Sequence, residues 1–148
     1  MMKIRFLNAA VWKINTRPLG MLAARARRNI KTRSGTVNVI FIDDRKMKAL
    51  NKTYRQKNKP TDVLSFNYKK DKEGRLDLMG EIYISIETAR RQAKKNSEPF
   101  QSELNKLFVH GILHLHGYDH EKDSDYIKMH ALECKILKRE LPLYLNKK

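Results

Sequence analysis

Thr36-Val37-Asn38-Val39-Ile40-Phe41-Ile42-Asp43 is an alternating run rich in β-branched residues that ends on an acid. Alternation at a period of two sends successive side chains to opposite faces of an extended chain, so residues 36–42 read as a strand. Asp43 offers the side-chain acceptor that the first N–H groups of a helix need, and Met47, Leu50 and Tyr54 then recur on one helical face. Toward the C-terminus, Pro60 closes a loop and Val63-Leu64-Ser65-Phe66 reads as a short strand. Polar residues 67–79, with a Glu-Gly turn signal, lead to a further strand at Ile82-Tyr83-Ile84-Ser85. Toward the N-terminus, Thr16 to Arg33 reads as a helix. Pro18 stands in its first turn, where the missing N–H costs nothing, and Leu19, Leu22, Ala23, Ala26 and Ile30 form one apolar stripe. Arg25, Arg27, Arg28 and Lys31 fall off that stripe, and Gly35 is the expected stop. Ile4 to Leu7 can add an edge or partner strand. From Glu87 the pattern is helical to the end, broken near Ser97-Glu98-Pro99 and again at Gly117. No repeat or long linker divides the chain. The expectation is one α+β domain over residues 1–148, a small mixed sheet of about four strands covered by helices.

At 148 residues the chain is long enough to bury a core without a disulfide or metal to hold it together. Its single cysteine, Cys134, excludes an internal disulfide framework and a Cys-rich zinc ribbon, and makes a reducing cytoplasm the expected compartment. Within its apolar helical pattern Cys134 reads as a small core residue. No run is apolar for long enough to suggest a membrane span. The net charge of +16 points to a polyanionic partner, and it is unevenly placed. Residues 1–74 carry 19 basic and 5 acidic side chains, against 13 and 11 in residues 75–148. A solvated lysine-rich exterior is the plainer alternative. Residues 1–40 contain no Asp or Glu, a composition shared with mitochondrial transit peptides, so that reading stands beside the structural one.

Four of the five histidines fall in His110-Gly-Ile-Leu-His114-Leu-His116-Gly117-Tyr-Asp119-His120. On a helix His110 and His114 are one turn apart and project side by side, able to hold one cation from the same face. The helix carrying them, roughly Glu103 to His116, is apolar nearly all round and therefore buried. Imidazoles in such company need partners for their nitrogens, and a metal satisfies one on each ring. Gly117 can take the left-handed conformation that ends a helix, letting His120 swing back as third ligand. Three imidazoles leave one tetrahedral position open, the arrangement of catalytic rather than structural zinc. The spacing equals that of the metzincin peptidases, except that Gly111 stands where those enzymes carry their general-base Glu. His116 lies off the ligand face, and His130 reads as a surface or packing residue.

This motif, together with Leu50-Asn51-x-x-Tyr54-Arg55-x-Lys57-x-Lys59-Pro60-Thr61-Asp62-Val63-Leu64-Ser65-Phe66 and Gly80-Glu81-Ile82-Tyr83-Ile84-Ser85, closely resembles the YbeY family of bacterial endoribonucleases. The resemblance implies a zinc-dependent, single-strand-specific endoribonuclease. It would act on ribosomal RNA, notably at the small-subunit 3′ end, and in ribosome quality control, with one Zn2+ per chain and no organic cofactor. It further implies that His110, His114 and His120 hold the zinc on a zincin-like helix and that Arg55 is needed for activity. Two positions depart from the family's pattern: Glu81 where Asp is common, and His116 where Leu is frequent.

Phosphodiester cleavage needs a nucleophile, neutralisation of phosphate charge and help for the leaving oxygen. The metal can supply the first two, with His114 among its ligands. Arg55 offers a planar fork matched to two phosphate oxygens, or else makes a surface salt bridge. Asp62 and Asp119 are each either an acceptor for an imidazole N–H or a local turn stabiliser. Lys57, Lys59 and the helix face bearing Arg25 and Arg28 are candidates for tracking a single-stranded RNA backbone. Two other classes remain open from sequence alone, a zinc peptidase and a non-catalytic ribosome-binding factor with structural zinc.

Overall fold

The computed structural model describes residues 1–69, 77–119 and 122–138. Four strands form one mixed sheet: β1 (Met2–Leu7), β2 (Gly35–Ile42), β3 (Val63–Asn67) and β4 (Leu78–Ser85). They lie in the order β1-β2-β4-β3, with β1, β2 and β4 parallel and β3 antiparallel on the edge beside β4. Five helices are α1 (Arg17–Asn29), α2 (Asp44–Arg55), α3 (Ile86–Lys95), α4 (Phe100–Leu115) and α5 (Asp123–Leu137). The α+β class and mixed sheet expected from the sequence are those found. Among the described residues no helix is long and apolar enough to cross a membrane.

The alternation of β2 divides the interior in two. Val37, Val39 and Phe41 join Ile82 and Ile84 of β4 in the main core, beneath α1, α3, α4 and α5. Ile40 and Ile42 face the other way, where Met47 of α2 and Leu64 of β3 meet them in a smaller cluster. Tyr54 continues the Met47 face but is 63% exposed. It reaches past the edge of that cluster to meet the Phe66 ring at 4.9 Å.

Several boundaries differ from the sequence reading for local reasons. Helix α1 ends at Asn29 rather than Arg33, because the chain turns extended at Ile30, the last residue of the apolar stripe. Gly35 therefore opens β2 instead of stopping α1. Strand β4 starts at Leu78, inside the segment read as a polar link, since residues 78–80 extend the ladder along β2 and β3; residues 70–76 lie outside the described residues. Helix α4 begins a turn early, at Phe100, where the Pro99 carbonyl accepts from the N–H groups of Ser102 and Glu103. Helical structure in the C-terminal part is described as far as Leu137, and the helical reading of residues 139–148 lies outside the described residues. The segment with transit-peptide composition supplies β1 and α1, whose Met2 and Leu19 are fully buried.

Helix α2 is fastened at its N-terminal end, which matters because its last residue is Arg55. The Asp43 side chain accepts from Lys46 N–H at 2.8 Å, the cap expected from the sequence. Asp44 accepts hydroxyl hydrogen bonds from Ser85 and Thr88, both at 2.6 Å, and pairs with Arg91 at 2.7 Å, tying α2 to the start of α3. Burial alone would raise the Asp44 pKa. The hydrogen bonds from Ser85 and Thr88 and the Arg91 charge outweigh it and hold the carboxyl below its ordinary value. A depressed carboxyl pKa stabilises the fold above the unfolded value, and this contribution is lost as pH falls through the folded one. Asp44→Asn is expected to lower unfolding free energy at neutral pH by about 1–3 kcal/mol. The gap to wild type should close in strong acid. Urea unfolding at both pH values measures it, and an unchanged gap at low pH would show that the carboxylate charge is not the cause.

Candidate active site

Helix α4 is clamped between the sheet and the other helices, and its apolar residues Leu104, Leu107, Phe108, Ile112, Leu113 and Leu115 are buried on several sides. One half-exposed strip remains, and His110 and His114 occupy it. Their rings cross at 76° with centroids 4.4 Å apart, and the two Nε2 atoms are 2.9 Å from each other. Gly111 points the opposite way. A Cβ there would come within 2.9 Å of Ile82 Cγ2 on β4, so position 111 faces the sheet and cannot deliver a base to the histidines. The peptidase base is thus missing from the sequence and excluded by the packing.

The pair forms one wall of an open cleft of about 500 Å3. Arg55 enters it from the end of α2, Asp62 and Ser65 from β3 and its approach, and Asp119 from the turn after α4. That turn runs through Gly117 at φ +85°, the left-handed conformation expected of it. Arg55 is exposed, and its guanidinium has no ion pair among the described residues. At the end of α2 Gln56 turns left-handed (φ 59°), and buried Asn51 donates to the Lys59 carbonyl at 2.8 Å. This pins the loop that follows Arg55. Lys57 and Lys59 consequently border a second hollow of about 320 Å3 that shares Arg55, Thr61 and Asp62 with the cleft. Arg25 and Arg28, on α1, line neither hollow.

Hydrogen bonds assign distinct duties to the other polar residues. The Asp62 carboxylate accepts from Val63 N–H at 2.8 Å and from the Gln92 amide at 3.2 Å, and the same Gln92 nitrogen donates to Glu103 at 2.8 Å. Asp62 thus anchors the start of β3 to α3 while bordering the cleft. His116 caps α4. Its Nδ1 donates to the Ile112 carbonyl at 2.8 Å, and its Nε2 accepts from Arg33 N–H at 3.0 Å. Burial, with Arg33 adding to it and the Ile112 bond opposing, lowers its pKa and keeps the ring neutral. Both nitrogens are committed, so His116 is outside the ligand set. Glu81 accepts from Tyr68 at 2.7 Å and from Tyr83 at 3.4 Å, and it is not among the residues lining the cleft. His130 stacks on Tyr126 with ring centroids 5.8 Å apart.

The donor set fits a zinc ion in two respects. His110 Nδ1 stands 3.0 Å from Glu133 Oε1, an acceptor-only carboxylate that favours the proton on Nδ1, and in that neutral tautomer Nε2 is the nitrogen with the lone pair. That Nε2 and the Nε2 of His114 face each other at the cleft wall. Tetrahedral zinc at ordinary Zn–N lengths places ligand nitrogens about 3.3 Å apart, a few tenths beyond the 2.9 Å found. Among the described residues no group of three His, Cys, Asp or Glu side chains is arranged to hold a metal. His120, third in the motif, lies outside the described residues. Glu133 was not legible in the sequence, since it is 23 residues from His110 and nothing in the pattern of α5 marks it.

A family model described as Endoribonuclease YbeY matches residues 12–140. The chain belongs to the YbeY family. The match spans every YbeY cleft residue named above, from Arg55 to Asp119. An Endoribonuclease YbeY from Thermodesulfovibrio yellowstonii is 47% identical over 107 residues, which is 72% of this chain and 67% of that protein. One from Sinorhizobium medicae is 38% identical over 120 residues, 80% of this chain and 71% of that one. The solution structure of a protein from Thermotoga maritima superposes with a TM-score of 0.59 at 27% identity, covering 93% of this chain and 90% of that one.

Proposed function

We propose that this chain is a zinc-dependent endoribonuclease that cuts single-stranded RNA at the cleft between Arg55 and the His110/His114 pair. Its work would lie in ribosomal RNA maturation, including the small-subunit 3′ end, and in ribosome quality control. The observation that carries the reading is the meeting at one cleft of two imidazole Nε2 atoms and a guanidinium that has no ion pair among the described residues, in a family whose members bear the name endoribonuclease. The residues to hold zinc are His110 and His114, with His120 as the third donor named by the motif. The chemistry expected of bound zinc is Lewis-acid polarisation of a phosphoryl oxygen and a nucleophile available near neutral pH.

The protein's own groups do the rest. Arg55 grips two phosphate oxygens with its fixed charged fork and offsets the negative charge on the non-bridging oxygens in the transition state. Lys57 and Lys59 offset the charge of flanking phosphates in the adjoining hollow. Arg55→Ala is expected to lower kcat by about 10²–10³-fold, as for removal of one positioned donor to a developing oxyanion. Arg55→Lys should recover only part of this, since an ammonium lacks the fork.

Cleavage of an end-labelled single-stranded RNA by the full chain tests the whole reading. Cutting should stop with a chelator and return with zinc. Steeply salt-dependent RNA binding without any cut after zinc is restored would reduce the protein to a non-catalytic RNA-binding factor. The new 3′ end reports the nucleophile, because a 2′,3′-cyclic phosphate requires attack by the substrate's own 2′-OH.

A further inference from the structure

Glu133 stands behind the His110 ring, away from the cleft. It borders a separate hollow of about 180 Å3 with Tyr126, Met129 and His130 and is absent from the cleft lining. Its Oε1 is 3.0 Å from His110 Nδ1, and its Oε2 is 3.7 Å from His130 Nδ1, one turn earlier on α5. The second distance is too long for a hydrogen bond, so among the described residues the carboxylate's short contact is with His110. The side chains are 21% and 31% exposed, which limits competition from water and strengthens the bond. A neutral imidazole carries one proton, and a carboxylate partner on Nδ1 leaves the Nε2 lone pair facing His114.

We infer that Glu133 is a positioning residue for the metal centre: from α5 it fixes the tautomer and rotation of His110, so that the ring presents Nε2 toward the point it shares with His114. The inference rests on the zinc reading for its purpose, but not for its geometry. Two independent helices then build the site. Helix α4 supplies both donors by its own pitch, and α5 decides which nitrogen of the first donor is available. Loss of such an outer carboxylate is known to weaken zinc binding without removing a ligand.

The test uses the full chain with 15N-labelled histidine. In the metal-free wild type above the imidazole titration range, His110 should show a protonated Nδ1 and an unprotonated Nε2. E133A should lose that fixed tautomer and bind zinc about 10–100-fold more weakly in competition with a chelator. E133Q, whose amide oxygen still accepts, should keep the tautomer and lose less affinity. Circular dichroism and thermal unfolding are followed in parallel, and because the first measurement needs no variant, a misfolded E133A does not remove the test. A metal-free wild type with His110 protonated on Nε2 overturns the inference. So does a folded E133A whose zinc affinity stays within about two-fold of wild type. If wild type binds no zinc yet His110 is held as the Nδ1–H form and released in E133A, the metal reading fails while the positioning role stands.

Discussion

His114→Ala is expected to leave the chain folded and, on the proposed function, to abolish zinc binding and RNA cleavage together. The residue is only partly exposed, on the strip of α4 that borders the cleft, so its removal widens an open cleft rather than leaving a sealed cavity in the core. Alanine is also the best helix former, and that offsets part of any loss. The chelating geometry does not survive. The two donors are held together by one helical turn and by the 2.9 Å separation of their Nε2 atoms, and His110 alone offers one lone pair. Losing a ligand should cost more than the roughly 10–100-fold in affinity or activity that follows loss of a residue behind one. Zinc per chain, cleavage of a labelled single strand, and a thermal unfolding curve, taken together for wild type and variant, check this. A variant with wild-type zinc content and cutting rate would remove His114 from the site, and a variant that loses its fold would show that the ring is structural.

What the sequence disclosed follows from the range of the interactions involved. The strand at residues 36–42, the Asp43 cap and the face shared by His110 and His114 are local, written in periodicities that the backbone imposes. The end of α1 and the start of β4 depend on neighbours distant in sequence, which local periodicity does not record. Leu78 to Gly80 are strand only because β2 and β3 lie on either side. The same divide runs through the site. Spacing marks the histidines, whereas only likeness to a family joined them to Arg55, more than fifty residues earlier. The cleft lining now places these residues together. Arg25 and Arg28 lie on α1 and line neither hollow, since a cluster of charge in a sequence says how many cations there are and not which face they occupy. Glu133 left no trace at all, because a carboxylate on a surface helix is ordinary until a second helix sets an imidazole against it.

Gly111→Glu, which would install the base that zinc peptidases carry at this point in the motif, is expected to destroy the fold rather than create a protease. A Cβ at position 111 would sit 2.9 Å from Ile82 Cγ2 and 3.0 Å from its Cδ1, where α4 lies directly on β4. Ile82 is fully buried and flanked by the main core, so it has little room to retreat. For Gly111→Ala the gain in helix propensity, about 1 kcal/mol, opposes overpacking of about 1–3 kcal/mol, and the balance is a modest loss. Glutamate adds four more heavy atoms beyond the Cβ, two of them the oxygens of a carboxylate sealed against an apolar sheet, at several kcal/mol for the ion alone, about the scale of a domain's whole stability. Soluble yield and urea unfolding measure the outcome. Ile82→Val should relieve part of the Gly111→Ala cost, because it removes the Cδ1 atom that the new methyl would meet. A Gly111→Glu protein that folded with wild-type stability would mean that α4 stands further from the sheet than 2.9 Å allows. The histidines' place at the cleft would then have to be explained without the glycine that seats their helix.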